Sequence, residues 1–529
     1  MASKAKLVNL DAMILRADFA EEPGLNEVGY PPIQVLGTHD LGDGHLAQLL
    51  RKPDFQRETN HWDPEQVVSL LECFVNGDLI PSVILWRSKK YFFVIDGGHR
   101  LSVLRAWILD DYGDRDASRH FFGNEISKNQ IKAADYTRSQ VAKKVGSWKE
   151  LPSATDNLSE ADMRKVHVIS SRGIPIQWVV GDAAKAESSF FKINTKGTAL
   201  DEVEQVLLRN RRRPVPIAAR AVIRAGMGHQ YWSALDAKHQ ETIKSLSKQI
   251  HSNLFDPELD SPIKTLDLPL GGSKGIRSAL DVLLNFFMLA NQDSNGVIIK
   301  VEDDPEDVTG AATVQKLKAA LNITQRITGN ENGSLGLHPA VYFYGPSGVH
   351  NSAMFLGTIK LFSQKIAKNE KAYFDKFTTA RKVTEKTLID HKQLIASILQ
   401  KALSPRRVDI YYDLLRGIVD EVLGGRKVTA STLTQLANMK GRIVNEEMFA
   451  GEEFSDGVKS QAFLSSALRG AHRCSECGGY LDHAKSLSYD HITPKSGGGR
   501  GTVENCDLIH PYCNQAVRNR RHQKQNKTV

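Results

Sequence analysis

Along the chain the hydrophobic positions change period more than once, and each change predicts a different kind of element. HWDPEQVVSLLECFVNGDL sets Val67, Leu70, Leu71 and Phe74 on one helical face behind Asp63 and Pro64, a helix start. IPSVILWRSKKYFFVIDGGHRLSVLRAWI then reads as strand, turn, strand, glycine loop and a helix opening at Arg100. Residues 109–165 are polar with little periodicity and read as an insertion, after which IPIQWVV (174–180) returns to strand and DAAKAESSFFKIN to helix. From about 215 to 445 the 3.6-residue period dominates: in DIYYDLLRGIVDEVLGG, Ile410, Leu414, Leu415, Ile418 and Val422 share a face and Gly424 stops the helix. Residues 440–456 read as a linker, SQAFLSSAL as a helix, and YDHI and CDLI as short strands. The pattern predicts an α+β multidomain protein: an α/β domain over 1–210, an all-helical middle domain over 211–445 and a small domain over 446–529.

Composition agrees. A chain of 529 residues, 41% hydrophobic, is too long for one core and has ample apolar surface for several. The longest apolar run, Ala279 to Ala290, is far below the roughly 20 residues of a membrane span. The acids in the first 24 residues do not suit a signal peptide, so the expectation is a cytoplasmic protein without membrane contact. A net charge of +8 is modest, but the tail VRNRRHQKQNKTV is basic with no acid, which suits a polyanion as well as plain solvation. RNRRRP, Arg209 to Pro214, reads as a solvated face before it reads as a DNA contact. Cys73 falls on an apolar helix face and reads as core, and the pairs Tyr411-Tyr412 and Phe286-Phe287 need only packing to explain them. The middle region has no catalytic spacing, and its glycine loops lack the GxxxxGK[ST] phosphate cradle.

The other four of the five cysteines lie between 474 and 513, a clustering that in a cytosolic chain points to metal. CSECGG presents Cys474 and Cys477 to one ion, and HPYC offers His510 and Cys513 at the same spacing, together a Cys3His zinc set. Cys506 competes for the fourth place but follows Asn505 on an apolar strand, where a small buried residue is expected. A closed four-ligand zinc is structural, so the chemistry falls between the ligand pairs, in SYDHITPKSGGGRGTVENCDLI. There Asp490 can turn to a hard divalent ion while His491, facing another way along the strand, deprotonates a water; Asn505 and Asn514 can add oxygen ligands or orient the base. That is equipment for phosphodiester hydrolysis.

CxxC, DHI with Pro494 beyond it, a Gly-rich loop, an ExN step and a knuckle ending in CN make the last 70 or so residues resemble the HNH nuclease family, with its ββα-metal core and zinc knuckle. The resemblance implies His491 as general base, Asp490 and Asn514 at a Mg2+ or Mn2+ ion, Asn505 as the central Asn that holds the loop and orients His491, and Cys474, Cys477, His510 and Cys513 around structural Zn2+. His510 stands in place of the usual Cys, and Asn514 where some members carry a His.

Near the N-terminus, IDGGHRL is a strand end, two glycines and a helix start, where free N–H groups and the helix dipole favour an anion. Three segments in order, PDFQRETNHW, IDGGHRLSVLRAW and FFKINTKGTALDEVE, resemble the ParB/sulfiredoxin-like domain of GmrSD-type and SspE-type anti-phage restriction proteins. Asp96, Gly97, His99 and Arg100 stand at its DGQQR positions, with Gly98 in place of the first Gln; Gln56, Arg57, Asn194 and Gly197 match the other two segments. The resemblance implies nucleotide binding, extending to hydrolysis of a nucleoside triphosphate, and a sensor that licenses the nuclease on double-stranded phage or modified DNA, with defence-system partner proteins or a homo-oligomer as further partners. The competing readings are a homing or packaging HNH nuclease that uses no nucleotide, and a non-catalytic ParB-like DNA-binding protein with a zinc-knuckle tail.

Overall fold

The computed structural model describes residues 7–19, 33–42, 44–56, 62–123, 126–150, 159–196, 202–272, 276–439 and 453–519, with the backbone alone described at 161–162, 194–196 and 276–278. The chain is mixed α+β and divides into two compact units, 1–211 with 227–231, and 212–226 with 232–529.

The first unit is built on a six-stranded sheet of β1 (Arg16–Ala17), β2 (Val35–Gly37), β3 (Leu50–Pro53), β4 (Val83–Arg87), β5 (Phe92–Asp96) and β6 (Gly173–Val179). Its spatial order is β1-β3-β5-β4-β6-β2. The β4–β5 and β2–β6 pairs are antiparallel, the rest parallel. Both faces are covered, which is why FFVID is almost wholly apolar: Val94 enters one core with Val67, Leu71, Leu101 and Trp107, while Phe93 and Ile95 enter a second with Phe19, Phe55, Phe190 and Leu208. The helix Pro64–Asn76 starts as its sequence indicates, Asp63 accepting from the Gln66 N–H at 2.8 Å. The helix after β5 opens at Gly98, ahead of Arg100.

The stretch 109–165, read as an insertion with little periodicity, carries the helices Asp116–Phe122 and Lys128–Lys144 and the start of Glu160–Ser171, and two other expectations for this unit need correction. The Lys128–Lys144 helix buries Ala133, Ala134, Thr137 and Val141, side chains too small to stand out in a hydrophobic pattern. Arg211 of the basic run is no solvated face: its guanidinium pairs with Asp54 at 3.0 Å and Glu187 at 2.9 Å and lies 5.4 Å from the Phe55 ring centre. Cys73 is half-buried and not full core.

The second unit is mostly helical. The helix Ser352–Ala367 packs on Arg407–Leu423, whose buried face is Tyr411, Leu414, Leu415, Ile418 and Val419, and Phe286, Phe287, Phe355, Phe362 and Phe377 fill the space between helices. The proposed linker falls outside the described residues over 440–452; beyond it the helix Asp456–Gly470 leads to a two-stranded hairpin of β7 (Ser488–His491) and β8 (Cys506–Ile509). Among the described residues no helix is long and apolar enough to cross a membrane.

Candidate active site and zinc knuckle

CSECGG folds as a tight turn, the Cys474 N–H donating to Gly479 O and the Gly478 N–H to Cys474 O, both at 2.8 Å. Against it stands the start of the last helix, where His510 and Cys513 lie one turn apart. One ligand atom from each of Cys474, Cys477, His510 and Cys513 falls within 4.8 Å of all the others, a cage of the size and donor set that zinc takes. The imidazole is already oriented: Nδ1 lies 3.3 Å from Cys477 Sγ, and Nε2 donates to Tyr480 O at 2.9 Å. Burial and the nearby Arg381 charge hold His510 below its usual pKa, so it is neutral and free to bind an ion through Nδ1. The thiols hydrogen-bond one another, which lowers Cys474 and raises Cys477 and Cys513, so the three compete for a single negative charge. A dication would remove that conflict by deprotonating all three. Cys506 is outside the cage and, against expectation, exposed: it opens β8 and pairs with His491 instead of entering the core.

The hairpin is antiparallel in the register Ser488–Ile509, Tyr489–Leu508, Asp490–Asp507 and His491–Cys506. Alternation therefore sets Ser488, Asp490 and Asp507 on one face and Tyr489, His491 and Cys506 on the other. Asn514, only 9% exposed, donates to Ser488 Oγ at 2.8 Å, so it lies on the Asp490 face. It sits within a π-helical turn over Cys513–Arg518, a distortion common at functional sites. His491, the last residue of β7, is half-buried, and its ring makes no hydrogen bond among the described residues. Asn505 pins the glycine loop: its Oδ1 accepts from the Thr493 N–H at 2.7 Å, its Nδ2 donates to Thr493 O at 3.2 Å and Arg500 O at 2.8 Å, and its carbonyl accepts from the Ile492 N–H at 3.0 Å.

One participant was hidden in the basic tail. Arg518 bonds Asp507 at 2.6 Å and Asp490 at 3.3 Å, with Glu476 at 3.8 Å. Sequence spacing gives no signal for this, because the π-helical turn decides where position 518 points.

In the first unit, β5 and the helix Gly98–Leu109 bring Asp96, Gly97, His99 and Arg100 together with Gln56. Gly97 has φ +91°, and a Cβ there would stand 2.5 Å from a Val83 methyl. Arg100 pairs with Asp96 at 2.8 Å and donates to Ser82 O at 3.1 Å. The His99 ring stacks on Trp62, centroids 5.6 Å apart. Gln56 is 7% exposed, its amide against Gly98, and its Oε1 has no hydrogen-bond partner among the described residues. Arg57 and Gly197 lie outside the described residues; Asn194 falls on the helix Ala183–Lys196 with its side chain undescribed.

Residues 39–211 match the family model of the GmrSD restriction endonuclease, N-terminal domain, and residues 474–520 match that of the HNH endonuclease. The chain thus joins a GmrSD-type N-terminal domain to a C-terminal nuclease domain, in keeping with a nuclease of restriction and defence. No curated protein and no solved structure matches it.

Proposed function

We propose that this protein is a metal-dependent DNA endonuclease of anti-phage restriction, with catalysis at the β7–β8 hairpin and control by a nucleotide at the Asp96–Arg100 turn. What carries the reading is His491, its ring without a hydrogen bond among the described residues, at the end of a strand whose other face gathers Asp490 and Asn514. Asp490 precedes the base on β7 and Asn514 bonds Ser488 on the Asp490 face, so the substrate phosphate would lie across the strand end, between that face and the one that carries His491. They would hold Mg2+ or Mn2+, which supplies charge neutralisation at the phosphate and the leaving oxygen. His491 accepts the proton of the attacking water at its open ring nitrogen. Asn505 keeps the loop after His491 closed through its bonds to Thr493 and Arg500, which fixes the direction in which the base leaves the strand. Zinc held by Cys474, Cys477, His510 and Cys513 would have all four positions filled and would serve structure and not the reaction.

For the first unit the support is the buried Gln56 carbonyl beside a helix N-terminus, without a hydrogen-bond partner among the described residues and so available to a ligand. A nucleotide there would bring its phosphates to the N–H groups of Gly98 and His99, and Arg100 would exchange part of its bond to Asp96 for one to phosphate. The domain would restrain the nuclease until double-stranded phage or modified DNA is engaged, acting in the cytoplasm.

The test is plasmid and phage DNA cleavage with Mg2+ or Mn2+, with each nucleoside triphosphate added in turn. His491→Ala should lower the rate by about 100-fold or more while retaining zinc and the fold. Cleavage that survives this substitution sinks the assignment of the base, and a rate indifferent to every nucleotide sinks the regulatory half.

A further inference from the structure

The zinc knuckle is not free-standing within the second unit. Its ligand His510 donates from Nε2 to Tyr480 O at 2.9 Å, and the N–H of the same Tyr480 donates to Glu385 Oε2 at 2.6 Å. Glu385 belongs to the helix Lys371–Asp390, more than ninety residues upstream, and has no exposed surface. Its other oxygen accepts from Arg381 Nε at 2.6 Å and from the Tyr342 hydroxyl at 3.0 Å. Arg381, 1% exposed, donates onward to Gly336 O at 2.8 Å and to Leu335 O. A Cβ at Gly479 would stand 2.4 Å from Arg381 Nε, so the CSECGG turn carries glycine where the guanidinium presses on it.

Charge gives this contact a purpose. Three thiolates, a neutral imidazole and Zn2+ sum to minus one, a charge costly to bury without a partner. Arg381 is the buried cation beside it and acts electrostatically on both Cys477 and His510. Further bonds run the same way: the Tyr512 N–H donates to Ser334 O at 2.8 Å, its hydroxyl to Asp375 at 2.7 Å, and the Leu487 N–H to Asn330 at 3.0 Å.

We propose that Arg381 and Glu385 hold the zinc ligands from outside, so that zinc is a clasp fixing the nuclease hairpin to the Lys371–Asp390 helix as well as a staple within the knuckle. The nuclease domain is then no tethered module that swings towards DNA, and loss of zinc loosens the helix along with the hairpin. The inference rests on the zinc assignment and not on the nuclease reading, since His491→Ala should leave every measurement below unchanged.

The experiment uses the full chain. Zinc transfer to a chromogenic chelator is timed for wild type, Glu385→Gln and Arg381→Lys, and hydrogen exchange is compared with and without zinc. Both variants should release zinc about 10- to 100-fold faster than wild type. Stripping zinc from wild type should raise exchange over 371–390 as well as over 473–519. Unchanged exchange in 371–390 after zinc removal, wild-type release rates in both variants, or a purified chain without zinc would each overturn the proposal. If a variant fails to fold, the wild-type exchange comparison decides.

Discussion

Single residues in this protein show how burial reassigns chemistry that a sequence can only nominate. Asp482, 3% exposed beside the knuckle, has an Oδ2 without a partner among the described residues, and burial pushes its carboxyl up to about 6. The folded state therefore favours the protonated acid. Its contribution to stability is fully present below the ordinary carboxyl range and is lost as pH rises towards 6, so at neutral pH the charge is a burden. Asp482→Asn should raise the unfolding free energy at pH 7.5, read from a denaturant titration, by about 1–3 kcal/mol, and the gain over wild type should shrink towards zero near pH 4. An equal gain at both pH values would rule out titration of Asp482 as the cause. Asp490, His491, Asn505 and Asn514 are candidates by residue type and family spacing, and the fold gathers them around one hairpin. Arg518 is no such candidate, because a guanidinium that bonds Asp507 and Asp490 is identical in sequence to one that trails in solvent.

At the scale of elements, the strands and the large-residue helices follow their hydrophobic periods in position. FFVID and IPIQWVV are strands, and Pro64–Asn76 and Arg407–Leu423 are helices, but their buried faces are turned from the expected ones: Leu70, Ile410 and Val422 are half-buried, while Val68, Val75, Tyr411 and Val419 are buried. The Lys128–Lys144 helix escaped because its buried face is built on Ala133, Ala134 and Thr137, with the helix Pro64–Asn76 packed on it. Small side chains carry little hydrophobic signal yet permit close approach. Ala134 has no exposed surface, so Ala134→Leu should overpack this contact and cost about 1–3 kcal/mol in a denaturant titration. A neutral outcome would mean that the helix pair can separate without loss.

At the scale of the whole molecule, the first unit has its own two-sided core and the second has helices and knuckle bound together. Calorimetry of the full chain should therefore show two unfolding transitions. A zinc chelator should lower one and leave the other in place. A single transition that moves with zinc would mean that the two units unfold as one.

By itself the sequence determined the mixed α+β class, the two family resemblances and the four residues Cys474, Cys477, His510 and Cys513 that the fold brings together, and it nominated the Asp490-His491 pair. Each of these is a matter of local spacing, and spacing along the backbone is fixed by covalent geometry. Tertiary structure alone decided that Arg211 braces Asp54 and Glu187 instead of facing solvent. It also decided that Cys506 is exposed, that Arg518 joins the acids of the hairpin, and that Glu385 grips Tyr480 behind the zinc ligands. These contacts join residues far apart in the chain, and for charged side chains only the surrounding burial determines whether a charge must find a partner or can be left to water.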